Sequence, residues 1–244
     1  MKTPLIILLA TGLSLNIGAR KNETTFSQHE VAQQNTGTEL VLTVEHGKEH
    51  NHPVYAVWLA DEDGSFIQTL YVSETIGKGV FKRAKRRQGQ WQSGAIQRPA
   101  SLPFWAHQRN IRNEYGHYIP SPSMPELDAY TGATPKASFR MRLRSDRPLQ
   151  GNYIVYLELN QSWDWNQFWH NDKYGTEPEY KTSSQPAVVY KARIHIPQTD
   201  EIELHPIGHS HPSGKDGSLN PDLSTLTTAL HIVERITIST QQKE

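Results

Sequence analysis

Apolar positions alternate with polar ones along much of the chain from residue 38 onward. In Glu39-Leu40-Val41-Leu42-Thr43-Val44, the side chains of Leu40, Leu42 and Val44 fall on one face, the period of a half-buried strand. Residues 138–144 repeat the pattern more strictly, with Phe139, Met141 and Leu143 on one side and Arg140, Arg142 and Arg144 on the other, as in a sheet with one wet face. β-Branched and aromatic residues crowd residues 53–60. The turn Asp61-Glu62-Asp63-Gly64 then predicts that residues 66–72 return as the second arm of a hairpin. Further strands are expected over 151–159, 187–196, 201–207 and 226–238; in the last, Thr225, Thr227, Thr228, Val233, Ile236 and Ile238 favour strand over helix. Turn-rich segments at 145–148 and 197–200 separate them at spacings typical of a sandwich.

The expected fold is therefore all-β, an immunoglobulin-like β-sandwich over 38–240 with a long irregular insertion at about 77–125. The insertion is rich in Arg, Gln, Gly and Pro. One short helix is expected over 102–109, where Trp105 and Arg109 share a face, and the remainder reads as loop, a length that is uncommon and often functional. Its basic run Lys82-Arg83-Ala84-Lys85-Arg86-Arg87 reads as a solvated face. Lys and Arg balance Asp and Glu at 25 each, so the whole-molecule field predicts no nucleic acid partner.

The first residues carry an address. Lys2 precedes an apolar run through Ile17 to Ala19, and Arg20-Lys21-Asn22 then turns polar, which predicts a signal peptide over 1–19, a flexible segment over 20–37 and a periplasmic or otherwise extracytoplasmic product. No second apolar run follows, so no membrane span is expected in the mature chain. The chain has no cysteine, which excludes disulfides, thiolate catalysis and iron–sulfur ligation.

Candidate chemistry concentrates in Asp128-Ala129-Tyr130-Thr131-Gly132-Ala133-Thr134. This stretch resembles the acceptor motif Asp-x-x-(Ser/Thr)-Gly-Ala-Thr of covalently flavinylated subunits of respiratory complexes. The resemblance implies FMN joined through its phosphate to Thr134 by a flavin transferase, with Asp128 as the recognition carboxylate, Thr131 as the second hydroxyl, and Gly132 and Ala133 as the small pair. Its implied partner is a membrane oxidoreductase, and its implied role that of an electron carrier or redox accessory. Phosphoester formation suits such residues, because a hydroxyl nucleophile needs small neighbours and a nearby carboxylate. The same residues also spell a turn: Asp128 opens it, Gly132 takes positive φ, and Thr134-Pro135 leads into the next strand. On a wider scale, the motif together with Tyr55-Ala56-Val57-Trp58-Leu59-Ala60-Asp61, Gly151-Asn152-Tyr153 and residues 222–230 resembles a family of periplasmic proteins known as a domain of unknown function, which implies an immunoglobulin-like sandwich and export but no reaction.

Two other groups stand out. His46-x-x-x-His50-x-His52 and His205-x-x-x-His209-x-His211 share one spacing, so His50 with His52, or His209 with His211, could chelate a metal ion through imidazole nitrogens, with Asp216 or Asp222 adding an oxygen. Trp163, Trp165 and Trp169 could form an aromatic platform for a sugar or a protein partner, or close one end of the core. Gly-x-Ser-x-Gly, phosphate-loop and His-Glu-x-x-His patterns do not occur, so hydrolase, nucleotide and zinc-protease readings have no starting point and no catalytic residues are assigned. The expectation is an exported protein that is not a standalone enzyme: a carrier of FMN on Thr134 or, in the alternative, a cofactor-free binding module for a glycan, metal ion or protein partner.

Overall fold

A computed structural model describes residues 24–30, 37–126, 130–132, 134–197 and 200–240. The chain runs through β1 (Ser27–Glu30), β2 (Glu39–His46), β3 (Val54–Ala60), β4 (Phe66–Ser73), the single turn α1 (Glu74–Gly77), β5 (Val80–Arg87), β6 (Gln90–Ala95) and helix α2 (Pro103–Arg109). It continues through β7 (Tyr130–Gly132), β8 (Phe139–Arg144), β9 (Gly151–Asn160), β10 (Val188–Ile196), β11 (Ile202–Glu203), β12 (His205–Ser210), β13 (Leu219–Asn220) and β14 (Val233–Thr240). A five-stranded sheet in the order β1-β8-β2-β14-β11 faces a seven-stranded sheet in the order β13-β12-β10-β9-β3-β4-β7, while β5 and β6 pair only with each other. The fold is all-β and sandwich-like, as the alternation predicts.

Strand periodicity explains the two layers of core. From the five-stranded sheet, Leu40, Leu42, Val44, Phe139, Met141, Leu143, Ile236 and Ile238 point inward and are buried. They meet Tyr55, Val57, Leu59, Val155, Leu157 and Leu159 of the other sheet. The alternate residues of those same strands, Ala56, Trp58, Ala60, Ile154 and Tyr156, are buried too, because a second cluster forms on the outer face of the seven-stranded sheet. Its cover is the insertion, which contributes Leu102, Phe104, Trp105, Ala106 and Ile119. Trp58 stacks on Tyr156 with ring centroids 5.1 Å apart, and Phe104 closes on both.

Three expectations are corrected. The insertion is not loop apart from one helix: residues 80–95 form the β5–β6 hairpin, turned through Gln88 and Gly89 at φ 49° and 80°. Nearly every side chain of that hairpin is solvated, so it carries no apolar alternation to betray it. The strand expected over 201–207 is broken at buried Leu204, whose N–H donates to Ile236 O at 2.9 Å; β11 belongs to one sheet and β12 to the other. The last strand begins at Val233, after a 3-10 turn over Ala229–His231. There the threonine-rich backbone is held away from the ladder, with His231 N–H donating to Thr228 O and the distant Asn166 side-chain amide donating to Thr225 O, both at 2.8 Å. The hairpin turn at 61–64 is as expected, with Gly64 at φ 90° and the Asp61 carboxylate accepting from Asp63 and Ser65 N–H. The signal peptide expected over 1–19 lies outside the described residues. Among the described residues, no helix is long and apolar enough to cross a membrane.

Leu157 has neighbours on every side in the inter-sheet core, whereas Arg140 of β8 points to solvent. Leu157→Ala should therefore lower the unfolding free energy by about 2–5 kcal/mol and Arg140→Ala by less than about 0.5 kcal/mol, as read from urea denaturation.

Candidate functional site

The site is built on the outer face of the seven-stranded sheet, where Glu158 of β9 follows Ile154 and Tyr156 at strand period and is fully buried. Its carboxyl oxygens accept the backbone N–H groups of Phe104 at 3.2 Å and Trp105 at 2.8 Å, the first turn of α2, and the Ser210 side chain hydrogen-bonds it as well. These donors have no partner within the helix, so the carboxyl group satisfies what would otherwise be orphaned groups in an apolar layer. Among the described residues no cation offsets the burial; desolvation outweighs the three hydrogen bonds and raises the Glu158 pKa to about 8. Further straps fix α2. The Trp105 indole N–H donates to Thr69 Oγ1 at 3.1 Å, Arg109 lies over the Trp105 ring at 4.9 Å as the shared face predicts, and Arg109 forms a buried ion pair with Glu126.

With α2 seated, the segment after it folds around Asn113. Asn113 Oδ1 accepts from Tyr115 and His117 N–H at 2.9 and 3.1 Å, and its amide donates to Ile119 O at 2.9 Å. This closed loop forms one wall of a cleft of about 250 Å³, lined by His107, Arg112, His117, Tyr118, Glu179 and Lys215 above an apolar floor of Pro99, Ala106 and Ile119. The opposite wall is the loop after β12. Gly214 at φ 68° would place a Cβ 2.2 Å from Pro99 O, and a Cβ at Gly217 would come within 2.5 Å of His107 Cβ, so only glycine lets that loop press so closely.

The polar groups of the cleft are partly committed. His107 Nδ1–H donates to Pro103 O at 2.8 Å, which leaves Nε2 of the neutral ring as an acceptor. Arg112 stacks over Tyr118 at 4.6 Å and donates to its hydroxyl at 2.9 Å. Lys215 pairs with Glu177 at 2.5 Å, which holds that carboxyl below the usual range. His117 Nδ1 is buried and has no hydrogen-bond partner among the described residues. Asp216, beside the cleft, is lowered chiefly by hydrogen bonds from Ser218, with His211 and His107 adding to the effect. Two permanent cations, Arg112 and Lys215, thus share a small hollow with two imidazoles and one carboxylate. Such a hollow can hold a small ligand with an anionic group through charge-assisted hydrogen bonds.

The residues expected from sequence are distributed differently. Of the flavin-type motif, Asp128, Ala129 and Ala133 lie outside the described residues. Thr131 and Gly132 belong to β7, the edge strand that runs parallel to β4. Thr134 is half-buried, its hydroxyl 2.8 Å from Ser73 Oγ. Thr131 Cγ2 would stand 2.6 Å from a Cβ at Gly77, which packs the motif against α1.

The histidine clusters do not converge: among the described residues no three His, Asp or Glu side chains are arranged to hold a metal ion. His46 and His50 have ring centroids 5.8 Å apart, and burial followed by the charges of His46 and His52 lowers the His50 pKa. His52 bonds Asn51 Oδ1 at 2.8 Å. His209 is buried against Trp169 with Nδ1–H donating to Ser210 O at 2.9 Å, while His211 Nδ1 accepts from Ser213 N–H at 3.2 Å.

The tryptophans also divide. Trp165 and Trp169 pack against Tyr180 and help close the core, Trp169 donating to Thr225 Oγ1 at 3.0 Å. Trp163, at φ 67°, is 63% exposed and does not complete a platform with them. His107, Arg112, His117, Tyr118 and Lys215 were not legible as a site, because they are spread over three segments and form no motif.

A carboxyl group whose folded pKa is raised keeps a proton that the unfolded chain has already released. Glu158 therefore makes the fold less stable as pH rises from about 4.5 to about 8, by up to about 1.4 kcal/mol per pH unit. Urea denaturation across this range should show that fall in the wild type. Glu158→Gln, which mimics the protonated group, should flatten it and be the more stable protein at pH 8; an identical pH profile in both would refute the assignment. Comparison of the chain with protein-family models, with curated proteins and with solved structures found no match, and the site is therefore read from its own residues.

Proposed function

We propose that this protein is an exported β-sandwich binding module that takes a small acidic carbohydrate, such as a uronic acid, in the cleft beneath the insertion. The observation that carries the reading is the convergence of Arg112, Lys215, His107 and His117 in a hollow of about 250 Å³. The size suits a single sugar ring. Arg112 retains guanidinium N–H groups beyond the one given to Tyr118 and can receive a carboxylate, as Lys215 can after leaving Glu177. Glu179 and His107 Nε2 match the donors and acceptors of sugar hydroxyls. Among the described residues of the cleft no side chain is poised as a nucleophile beside a base, so binding is favoured over hydrolysis.

Titration calorimetry should find binding of glucuronate or galacturonate and at least about tenfold weaker binding of glucose or galactose, since a charge-assisted contact contributes about 1.5–3 kcal/mol. Arg112→Ala should abolish that preference without changing the thermal transition. Equal affinity for neutral and acidic sugars, or no heat with any of them, would contradict the proposal.

A second reading keeps the flavin. Thr134 sits next to β7, the outermost strand of its sheet, and its hydroxyl is oriented by a hydrogen bond with Ser73 Oγ at 2.8 Å. In this reading the protein carries FMN on Thr134 and serves a membrane oxidoreductase. Coexpression with a flavin transferase should give a band fluorescent under ultraviolet light on a denaturing gel for the wild type and a dark one for Thr134→Ala. A dark band for both, with a control substrate labelled, would reduce the motif to a turn.

A further inference from the structure

We propose that the β5–β6 hairpin docks the protein onto the surface of an anionic lipid bilayer. Between Glu74 and Glu114 the chain has no acidic residue but nine Lys and Arg, while the whole chain is formally neutral, so this stretch is strongly cationic and the remainder of the chain is acidic by the same margin. Five of those cations, Lys82, Arg83, Lys85, Arg86 and Arg87, lie on β5, exposed, and none has a carboxylate partner among the described residues. The other strand supplies no countercharge, being Gln90-Trp91-Gln92-Ser93-Gly94-Ala95.

The shape and the apolar content select the partner. The hairpin pairs with neither sheet, and β6 is exposed along nearly all its length, so it presents a ribbon rather than a groove. Trp91 is directly opposite Arg86 in the ladder and 51% exposed; Val80, at the root of β5, is 40% exposed. An indole beside guanidinium groups is suited to the boundary between headgroups and acyl chains, where its ring is half in and half out of water. Each Lys or Arg near such a surface adds to the attraction, and salt weakens it. A polyanionic strand or glycan would use the charges but would have no cleft to lie in and no need of Val80.

Flotation of the full chain with phosphatidylcholine vesicles, with and without phosphatidylglycerol, tests this. The wild type should float with the phosphatidylglycerol vesicles, less so as salt rises. Lys85→Ala/Arg86→Ala/Arg87→Ala should reduce partitioning by at least about tenfold, and Trp91→Ala should reduce it with the charge intact. Because these side chains are exposed, the variants should keep the wild-type thermal transition. All proteins compared carry the same N-terminal apolar run, so its insertion into lipid would show as binding indifferent to headgroup charge and to the substitutions. That result would overturn the proposal, as would retention on immobilised heparin or single-stranded DNA without any flotation.

Discussion

One carboxyl group ties the two halves of this molecule together. Glu158 lies in the middle of an apolar layer, on the outer face of the seven-stranded sheet, and the first turn of α2 ends on it. The arrangement solves two problems at once. A short helix end buried against a sheet leaves its N–H groups unpartnered, and a buried carboxyl group needs donors; each answers the other. Everything outboard depends on this contact: α2 places His107, the Asn113 loop continues from α2, and the glycines of the loop after β12 press against His107 and against Pro99 just ahead of α2. Glu158 also ties in that loop from its root, through Ser210 at the end of β12.

The seven-stranded sheet is therefore a shared wall. Its inner face belongs to the sandwich core and its outer face to the insertion, so β3 is almost wholly buried and β9 is buried from Ile154 onward. Among the described residues the five-stranded sheet has no such cover, and β8 shows the simple alternation of arginines with buried apolar residues. This difference in covering separates the functions we propose. We propose that the covered face holds a small acidic ligand in its cleft and that the cationic hairpin of the same insertion meets a bilayer.

The same difference decides what the sequence could reveal. β2 and β8 were legible because one face is wet, and period-two alternation is the direct record of that; the hairpin at 61–64 was legible from its turn residues. The short helix over 102–109 was legible from the spacing of Trp105 and Arg109. The β5–β6 hairpin was not, since a strand solvated on both faces leaves no pattern, and neither was the switch at Leu204, where the alternation of apolar and polar residues continues although the chain changes sheet. Val-Tyr-Ala-Val-Trp-Leu-Ala in β3 did hold a clue: a strand apolar on both faces requires a layer on both, and a lone glutamate in a strand of that kind, Glu158 in β9, requires buried donors. The cleft had no such signature. Its residues come from α2, the Asn113 loop, residue 179 and the loop after β12, and long-range packing alone brings them together.

Hydrogen exchange at individual amides tests the central contact most directly. If Glu158 holds the insertion on the sheet, the Phe104 and Trp105 amides exchange slowly in the wild type. In Glu158→Ala they should exchange rapidly, while the amides of β2 and β14 in the opposite sheet keep their protection. Rapid exchange of Phe104 and Trp105 in the wild type, or undiminished protection in the variant, would contradict the account.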